Sequence, residues 1–435
     1  MKCSSNASHI NIIKSIKNQK TLITNFSYLT VLQIFIILVP FLTYPYLIKV
    51  VGKELYGVVV FAQAVVSYVS LVVNFGFNLS ASKSIAENRE NKQVISEIVS
   101  SIYVSKFVIW LLCLVVYVLI ISLIPFFKSN YYIFLYSFLL TFNELLFPAW
   151  FFQGIEKMKY TTLINVSIRS LFIVAIFMFV SSPSDYVYIP LLNGIGALLG
   201  GLVASYIVFG KEKIKFVFLP IKLVYIHFKE SIPLFVSIAS IQVYGNINKI
   251  VIGAFLGMSE VAIYDLGEKI SNLLKLPIGI VNQAVFPKVS REKSIKFINR
   301  IMFVVAGLSG IGYILVFVFS KWIVLFFMHE YIQSAVDIVR ILSSTVVIVS
   351  FSMFLANCRL IPFGYNKAYM NVYSLTCLFF FVFIGCLWLF QAINLYSISI
   401  MVVCVEITCL LLLLYYNNKY RLLKNAKYSN SHSQL

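Results

Sequence analysis

The chain has 435 residues, of which 60% are apolar and only 12% charged, with a mean hydropathy of +0.91 and a formal net charge of +19. Globular domains carry about 25% charged residues, so this composition predicts a polytopic membrane protein and leaves no polar stretch long enough for a soluble catalytic domain. Its Lys and Arg are dispersed between apolar runs rather than gathered in one patch, which predicts membrane orientation and no nucleic-acid partner.

Apolar runs of about 20 residues, each able to cross a hydrocarbon core of roughly 30 Å, recur twelve times between positions 22–47 and 394–416. The predicted fold class is therefore an all-α polytopic membrane protein of about twelve transmembrane helices in two six-helix lobes. Ahead of the first run, Ile10, Ile13, Lys14 and Lys17 fall on separable faces, which predicts a short interfacial helix at 10–20. Lys14, Lys17 and Lys20 resemble the charged region of a signal peptide, but the run behind them has the length of a full span and no small-residue cleavage site, so an uncleaved first helix is expected. The seven cysteines lie mostly inside apolar runs without CxxC spacing, and the four histidines are far apart. No disulfide framework, metal site or cofactor is expected.

With the N-terminus in the cytoplasm, 27 of the 35 Lys/Arg fall at cytoplasmic ends and loops, four (Lys49, Lys53, Lys128, Lys321) fall outside, and four (Lys249, Lys269, Lys275, Arg340) fall deep in spans. This asymmetry predicts that both termini are cytoplasmic. The basic loops would also attract anionic headgroups. Domain boundaries are expected at 1–210 for an N-terminal lobe, 211–230 for a cytoplasmic connecting segment, 231–418 for a C-terminal lobe and 419–435 for a cytoplasmic tail. In span six, Gly196 and Gly200 have GxxxG spacing, which suggests close helix packing.

Two stretches 205 residues apart echo each other, VVGKELYG after the first span and FLGMSEVAIYD after the seventh. Gln63, Ser67, Ser70 and Asn74 form a polar stripe on span two. On 3.6-residue spacing, Gln242, Gly245, Asn246, Lys249 and Gly253 share one face of span seven, and Asp265, Glu268, Lys269, Asn272 and Lys275 share one face of span eight. Charges at membrane depth cost at least a few kcal/mol each and normally face a bundle interior or a water-filled cavity. The stripes therefore predict that two repeated halves line a central polar cavity, although i,i+4 partners such as Asp265 and Lys269 could be paired only to hold helices together. Arg340 has Asp337 three residues away for a local pair, Glu406 lies alone in an apolar span, and Trp150, Phe151 and Phe152 read as an interfacial aromatic belt.

YPYLIKVVGKELYGVVVFAQA, NFGFNLSASKSIAENRE, FPAWFFQGIEKMKY, QVYGNINKIVIGAFLG and VFPKVS, taken together, resemble O-antigen flippases of the Wzx-type polysaccharide transporter family. That family belongs to the multidrug/oligosaccharidyl-lipid/polysaccharide exporter superfamily. The resemblance spans nearly the whole chain, and it implies a MATE-like two-lobed fold in the bacterial inner membrane. It further implies ion-coupled alternating access that moves an undecaprenyl-pyrophosphate-linked oligosaccharide from the cytoplasmic to the periplasmic leaflet. The implied partners are this lipid-linked glycan, the lipid bilayer and other polysaccharide assembly proteins. One departure concerns coupling: where the family often carries an acid in span seven, this chain has Asn248 followed by Lys249.

For such a substrate the expected phosphate ligands are Arg169, Lys249, Lys269, Lys275 and Arg340, with Lys249 and Lys269 leading, and the expected sugar ligands are the amides of Gln63, Asn74, Asn78, Gln242 and Asn246. Glu144, Asp265 and Glu268 are the expected ion-coupling acids, Glu144 foremost because no cation lies within i,i+4 reach of it. No catalytic residue is expected. The rivals are a multidrug cation antiporter of the same superfamily, which would want a net acidic cavity, and a membrane-embedded polysaccharide polymerase or glycosyltransferase, which would want a large outer loop.

Overall fold

Helix follows from composition here, because a backbone crossing hydrocarbon must satisfy its own N–H and C=O groups. The structure, a computed structural model, describes residues 3–423. For 3–23, for scattered positions in 221–244 and for Pro287 only the backbone is described. The chain is an all-helical multi-pass membrane protein. Ten helical segments among the described residues are long and apolar enough to cross a membrane. The seventh and eighth expected spans are two further helices of 35 residues each, Ile221–Phe255 and Met258–Glu292. The chain divides into two compact units, 1–242 and 243–435.

Unit 1 begins with α1 (Cys3–Val51). The segment 10–20 is part of this continuous helix, and the faces on which its side chains lie are outside the described residues. α2 (Lys53–Asn74), α3 (Phe77–Glu87) and α4 (Lys92–Leu123) follow. Asn91 caps α4, its side chain accepting from the backbone N–H groups of Gln93 and Val94. The fourth span is broken into α5 (Pro125–Ser129), α6 (Tyr131–Phe138), a 3₁₀ turn at Leu139–Thr141, α7 (Phe142–Leu146) and α8 (Ala149–Gly154). Pro148, which lacks an N–H, separates the last two pieces. α9 (Met158–Phe179) and α10 (Tyr188–Tyr206) complete the unit, with the first part of α11 (Ile221–Phe255).

The WFFQGIEKMKY motif is a packing corner. Trp150, Phe151 and Phe152 are each at most 1% exposed, in a core with Phe77, Ile85 and Ile102, so they are not the interfacial belt expected of them. The polar half of the motif ties the corner to its neighbours. Glu156 pairs with Arg89 at 2.8 Å, Arg89 Nε donates to the Gly154 carbonyl at 2.8 Å, and Lys157 pairs with Glu212 at 2.6 Å. On α10, Gly196 and Gly200 face the side chains of Ile168 and, at Gly200, Ile164. At Gly194 and Gly201 the approach is to atoms beside the backbone, where an added Cβ would lie 2.4 Å from Leu139 Cβ and 2.5 Å from Leu146 Cβ.

Unit 2 contains the end of α11, α12 (Met258–Glu292), α13 (Ile295–Met328), α14 (Gln333–Leu355), α15 (Asn366–Leu389) and α16 (Leu395–Lys419). α14 packs on α12, α13 and α16. The residues 424–435 of the expected tail lie outside the described residues. The repeat read from the sequence has a backbone counterpart. Gly52, ahead of α2, has φ 85° and ψ 159°, and Gly257, ahead of α12, has φ 107° and ψ 170°. This region is open essentially to glycine alone and costs other residues about 1–3 kcal/mol. Nothing lies within 4 Å of a Cβ built at Gly257, so Gly257→Ala should show backbone strain alone. A melting temperature lower than that of the parent protein in the same detergent is expected, and an unchanged one would refute the strain.

Candidate functional site

The polar stripe of α12 begins at the turn that Gly257 permits. Antiparallel exit from that turn sets the last two turns of α11 beside the first three of α12, so Lys249 and Asp265 both lie about 10 Å in from the turn at 1.5 Å per residue. Lys249 Nζ is 3.0 Å from Asp265 Oδ1 and 2.6 Å from Glu268 Oε2, and Lys269 Nζ pairs with Asp265 Oδ2. The Asp265 side chain is 3% exposed and that of Lys249 15%. Two cations and two acids thus form one chain of ion pairs with no net charge. Asp265 is shared between both lysines.

Beside this cluster is a cavity of about 180 Å³. α11 contributes Gly245 and Asn248, α12 contributes Glu268, Asn272 and Lys275, and α16 contributes Glu406. Tyr264, Ser271, Thr345 and Phe380 complete most of the remaining wall. Glu268 belongs to both cluster and cavity. Among the described residues no carboxylate lies within 4.0 Å of Lys275 and no cation within 4.0 Å of Glu406, and neither makes a hydrogen bond. Ser271 and Thr345 donate their hydroxyl protons to the Leu342 carbonyl at 3.0 and 2.6 Å.

The expected site residues therefore separate. Lys249, Lys269, Asp265 and Glu268 come together and neutralise one another. Lys275 joins them on the cavity wall, facing Glu406 electrostatically but with no carboxylate within 4.0 Å among the described residues. Arg340 is elsewhere in unit 2. Its Nε donates to Ser320 Oγ at 2.8 Å and its guanidinium lies 4.5 Å from the Phe317 ring centre. It does not pair with Asp337, whose carboxylate accepts from Gln333 at 2.9 Å and Tyr396 at 3.3 Å.

In unit 1, Asn74 donates to Glu144 Oε2 at 2.7 Å, joining an expected sugar ligand to an expected coupling acid. Glu144 is not remote from every cation. Lys106, 38 residues earlier on α4, donates from Nζ to the Glu144 backbone carbonyl at 2.9 Å and is 1% exposed. Counting charges by loop places Lys106 at the cytoplasmic end of span three, yet 14 residues separate it from Lys92 at the start of α4, a rise of roughly 21 Å. Arg169, midway along α9, has a buried Nε without a hydrogen-bond partner and no carboxylate within 4.0 Å among the described residues. Gln63, Asn78 and Asn246 are partly exposed and Gln242 is exposed, and their amides make no hydrogen bond among the described residues.

Arg359 is a second buried cation that loop counting assigns to the cytoplasm. It is 1% exposed on a π-helical turn at Ala356–Leu360, where it donates to Asn299 Oδ1. No cluster of three His, Cys, Asp or Glu side chains suited to a metal occurs among the described residues.

Residues 22–293 match the family model described as "Polysaccharide biosynthesis protein". A protein of Escherichia coli (strain K12) named "Putative O-antigen transporter" is 27% identical over 362 residues, covering 82% of this chain and 87% of that one. Among solved structures, an inward-facing multidrug resistance MATE family transporter of the MOP superfamily superposes with a TM-score of 0.66 at 16% identity, covering 89% of this chain and 96% of that one. The lipid II flippase MurJ in an inward closed conformation superposes with a TM-score of 0.64 at 14% identity, covering 91% of this chain and 87% of that one. At these identities the structural likeness establishes the MATE-like fold alone, while the family model covers well over half of the chain. The resemblance read from the sequence thus holds, and the chain belongs to the polysaccharide biosynthesis protein family.

Proposed function

We propose that this protein is a flippase that carries an undecaprenyl-pyrophosphate-linked oligosaccharide across the bacterial inner membrane, from the cytoplasmic to the periplasmic leaflet. The observation that carries the reading is the set of membrane-depth charged and amide groups lining a cavity in a chain related to an O-antigen transporter. A pyrophosphate-sugar headgroup cannot enter hydrocarbon, and its polyprenyl tail has no reason to leave it, so the carrier need supply only a polar path for the head. Of the five expected phosphate ligands, Arg169 and Lys275 make neither an ion pair within 4.0 Å nor a hydrogen bond among the described residues, which leaves them the cations most available to phosphate. Lys249 and Lys269 are already neutralised by acids, so their part in the site is to hold the α11–α12 hairpin.

The reading includes two lobes, 1–210 and 231–418, that alternate access, an ion that resets the empty carrier through Glu144, and both termini in the cytoplasm. Reporter fusions at Lys213 and Asn425 that were active in the periplasm would overturn that orientation. Deleting the gene should abolish surface polysaccharide and leave complete lipid-linked repeat units on the cytoplasmic leaflet, with plasmid-borne wild type restoring export. Accumulation of incomplete units instead would point to a sugar-transferring enzyme.

A further inference from the structure

The cavity of unit 2 has an excess of acceptors that the ion-pair cluster does not explain. Asn248 is 3% exposed and lines the cavity, where its side chain hydrogen-bonds Tyr264, and its Oδ1 is buried with no hydrogen-bond donor among the described residues. A buried unsatisfied acceptor costs about 1–3 kcal/mol, and a native protein retains one where a ligand or water supplies the donor. Glu406, on the same wall, makes no hydrogen bond among the described residues. The Ser271 and Thr345 hydroxyls are bonded to the Leu342 carbonyl and, at 3.2 Å, to each other, so their two protons are taken up among themselves and that carbonyl while lone pairs remain on the oxygens.

The lining asks for a ligand with several donors, and its size limits which one. A cavity of about 180 Å³ has room for several waters, since one water needs only about 10–15 Å³ of such space. That is far more than one dehydrated ion needs, and below the roughly 300–1,000 Å³ of a site enclosing a whole drug-sized molecule. A phosphate would face Glu268 and Glu406, and a metal cation would face the Lys275 ammonium. A neutral ring of hydroxyls meets neither repulsion. Its O–H groups donate to the amide and the carboxylates, its oxygens accept from Lys275 and Asn272, and its C–H face has Phe380 and Val402 to lie against. Gly245 and Asn272 are exposed at the rim.

We infer that this cavity is a subsite for a single sugar ring of the lipid-linked glycan, gripped by Asn248 and Glu406, with Lys275 at its edge toward the phosphate. The inference rests on the flippase reading and deepens it, since the subsite would let the carrier select a glycan rather than any polyprenyl pyrophosphate.

The test is binding to the full-length protein in nanodiscs, with two probes: undecaprenyl pyrophosphate bearing no sugar, and the same carrier bearing the complete repeat unit from the producing strain. Asn248→Ala and the nearly isosteric Glu406→Gln should each weaken binding of the glycan-bearing probe about tenfold, the equivalent of one lost hydrogen bond to a charged or buried partner. Binding of the sugar-free probe should stay within about twofold, as should the melting temperature within a few degrees. Equal losses for both probes, or no loss for either, would overturn the subsite while leaving the flippase reading intact. Stabilisation of the wild type by sodium ions that Glu406→Gln abolishes would make the cavity a cation site and overturn it too. A wild-type protein that binds neither probe would remove the flippase reading and the subsite with it.

Discussion

Lys249→Met should destabilise unit 2 by about 3–5 kcal/mol, the usual cost of removing one partner from a buried ion pair. Lys249 is held by two acids, so its loss leaves Glu268 without its cation and Asp265 with one lysine where it had two. The variant is expected to be depleted from the membrane, or to melt well below the wild type in detergent. Removing the stranded charge as well, in Lys249→Met/Glu268→Leu, should recover most of the loss, because a buried pair replaced whole by apolar groups of similar volume is often neutral. Comparing the two variants by thermal melting separates this account from phosphate binding. If Lys249→Met melts like the wild type and only export fails, Lys249 is a substrate ligand and the cluster is not what holds the hairpin.

Glu144→Gln is expected to abolish the response of transport to an ion gradient. Each negative charge moved outward across an inside-negative membrane gains about 2.3 kcal/mol per 100 mV, so export of a pyrophosphate headgroup is favoured by the potential, and the step needing help is return of the empty carrier. Glu144 is placed to sense that step. It lies on the five-residue α7 beside the Pro148 break, with Asn74 of α2 on its carboxylate and Lys106 of α4 on its carbonyl. A proton or sodium ion arriving there would compete with the Asn74 hydrogen bond and loosen the contact between two helices. In proteoliposomes with imposed pH or sodium gradients, wild-type rates should follow one of the gradients and Gln-variant rates should follow neither. A wild type indifferent to both gradients, or a Gln variant with the same dependence, would exclude Glu144 as the coupling group.

The helices were legible because hydropathy and backbone satisfaction in hydrocarbon leave almost no other choice. The α11–α12 hairpin, its turn at Gly257 and its polar faces were legible for a local reason: residues three and four apart share a helix face, and the residues that meet across one tight turn are near each other in sequence. What the sequence could not show is pairing over long separations. Lys106 and Glu144 are 38 residues apart, and counting Lys106 with a loop hid a buried ammonium. Arg340 was offered Asp337 by spacing but turns to Ser320, 20 residues earlier on α13. Trp150, Phe151 and Phe152 have interface composition, and only the packing of α3 and α4 around them reveals a core. The cavity draws Glu406 from α16, more than 130 residues beyond Lys275, and no local pattern joins those two positions.

The central claim is translocation itself, and reconstitution measures it most directly. Purified protein in liposomes would be loaded with undecaprenyl-pyrophosphate-linked oligosaccharide bearing a fluorescent sugar, and arrival of the label at the outer leaflet read by its quenching or by lectin capture. The account predicts that wild-type protein moves the labelled lipid between leaflets at a rate well above that of protein-free liposomes, and that Lys275→Ala and Arg169→Ala slow it. Rates equal to protein-free liposomes under every imposed gradient, with the same protein exchanging organic cations across the membrane, would contradict it.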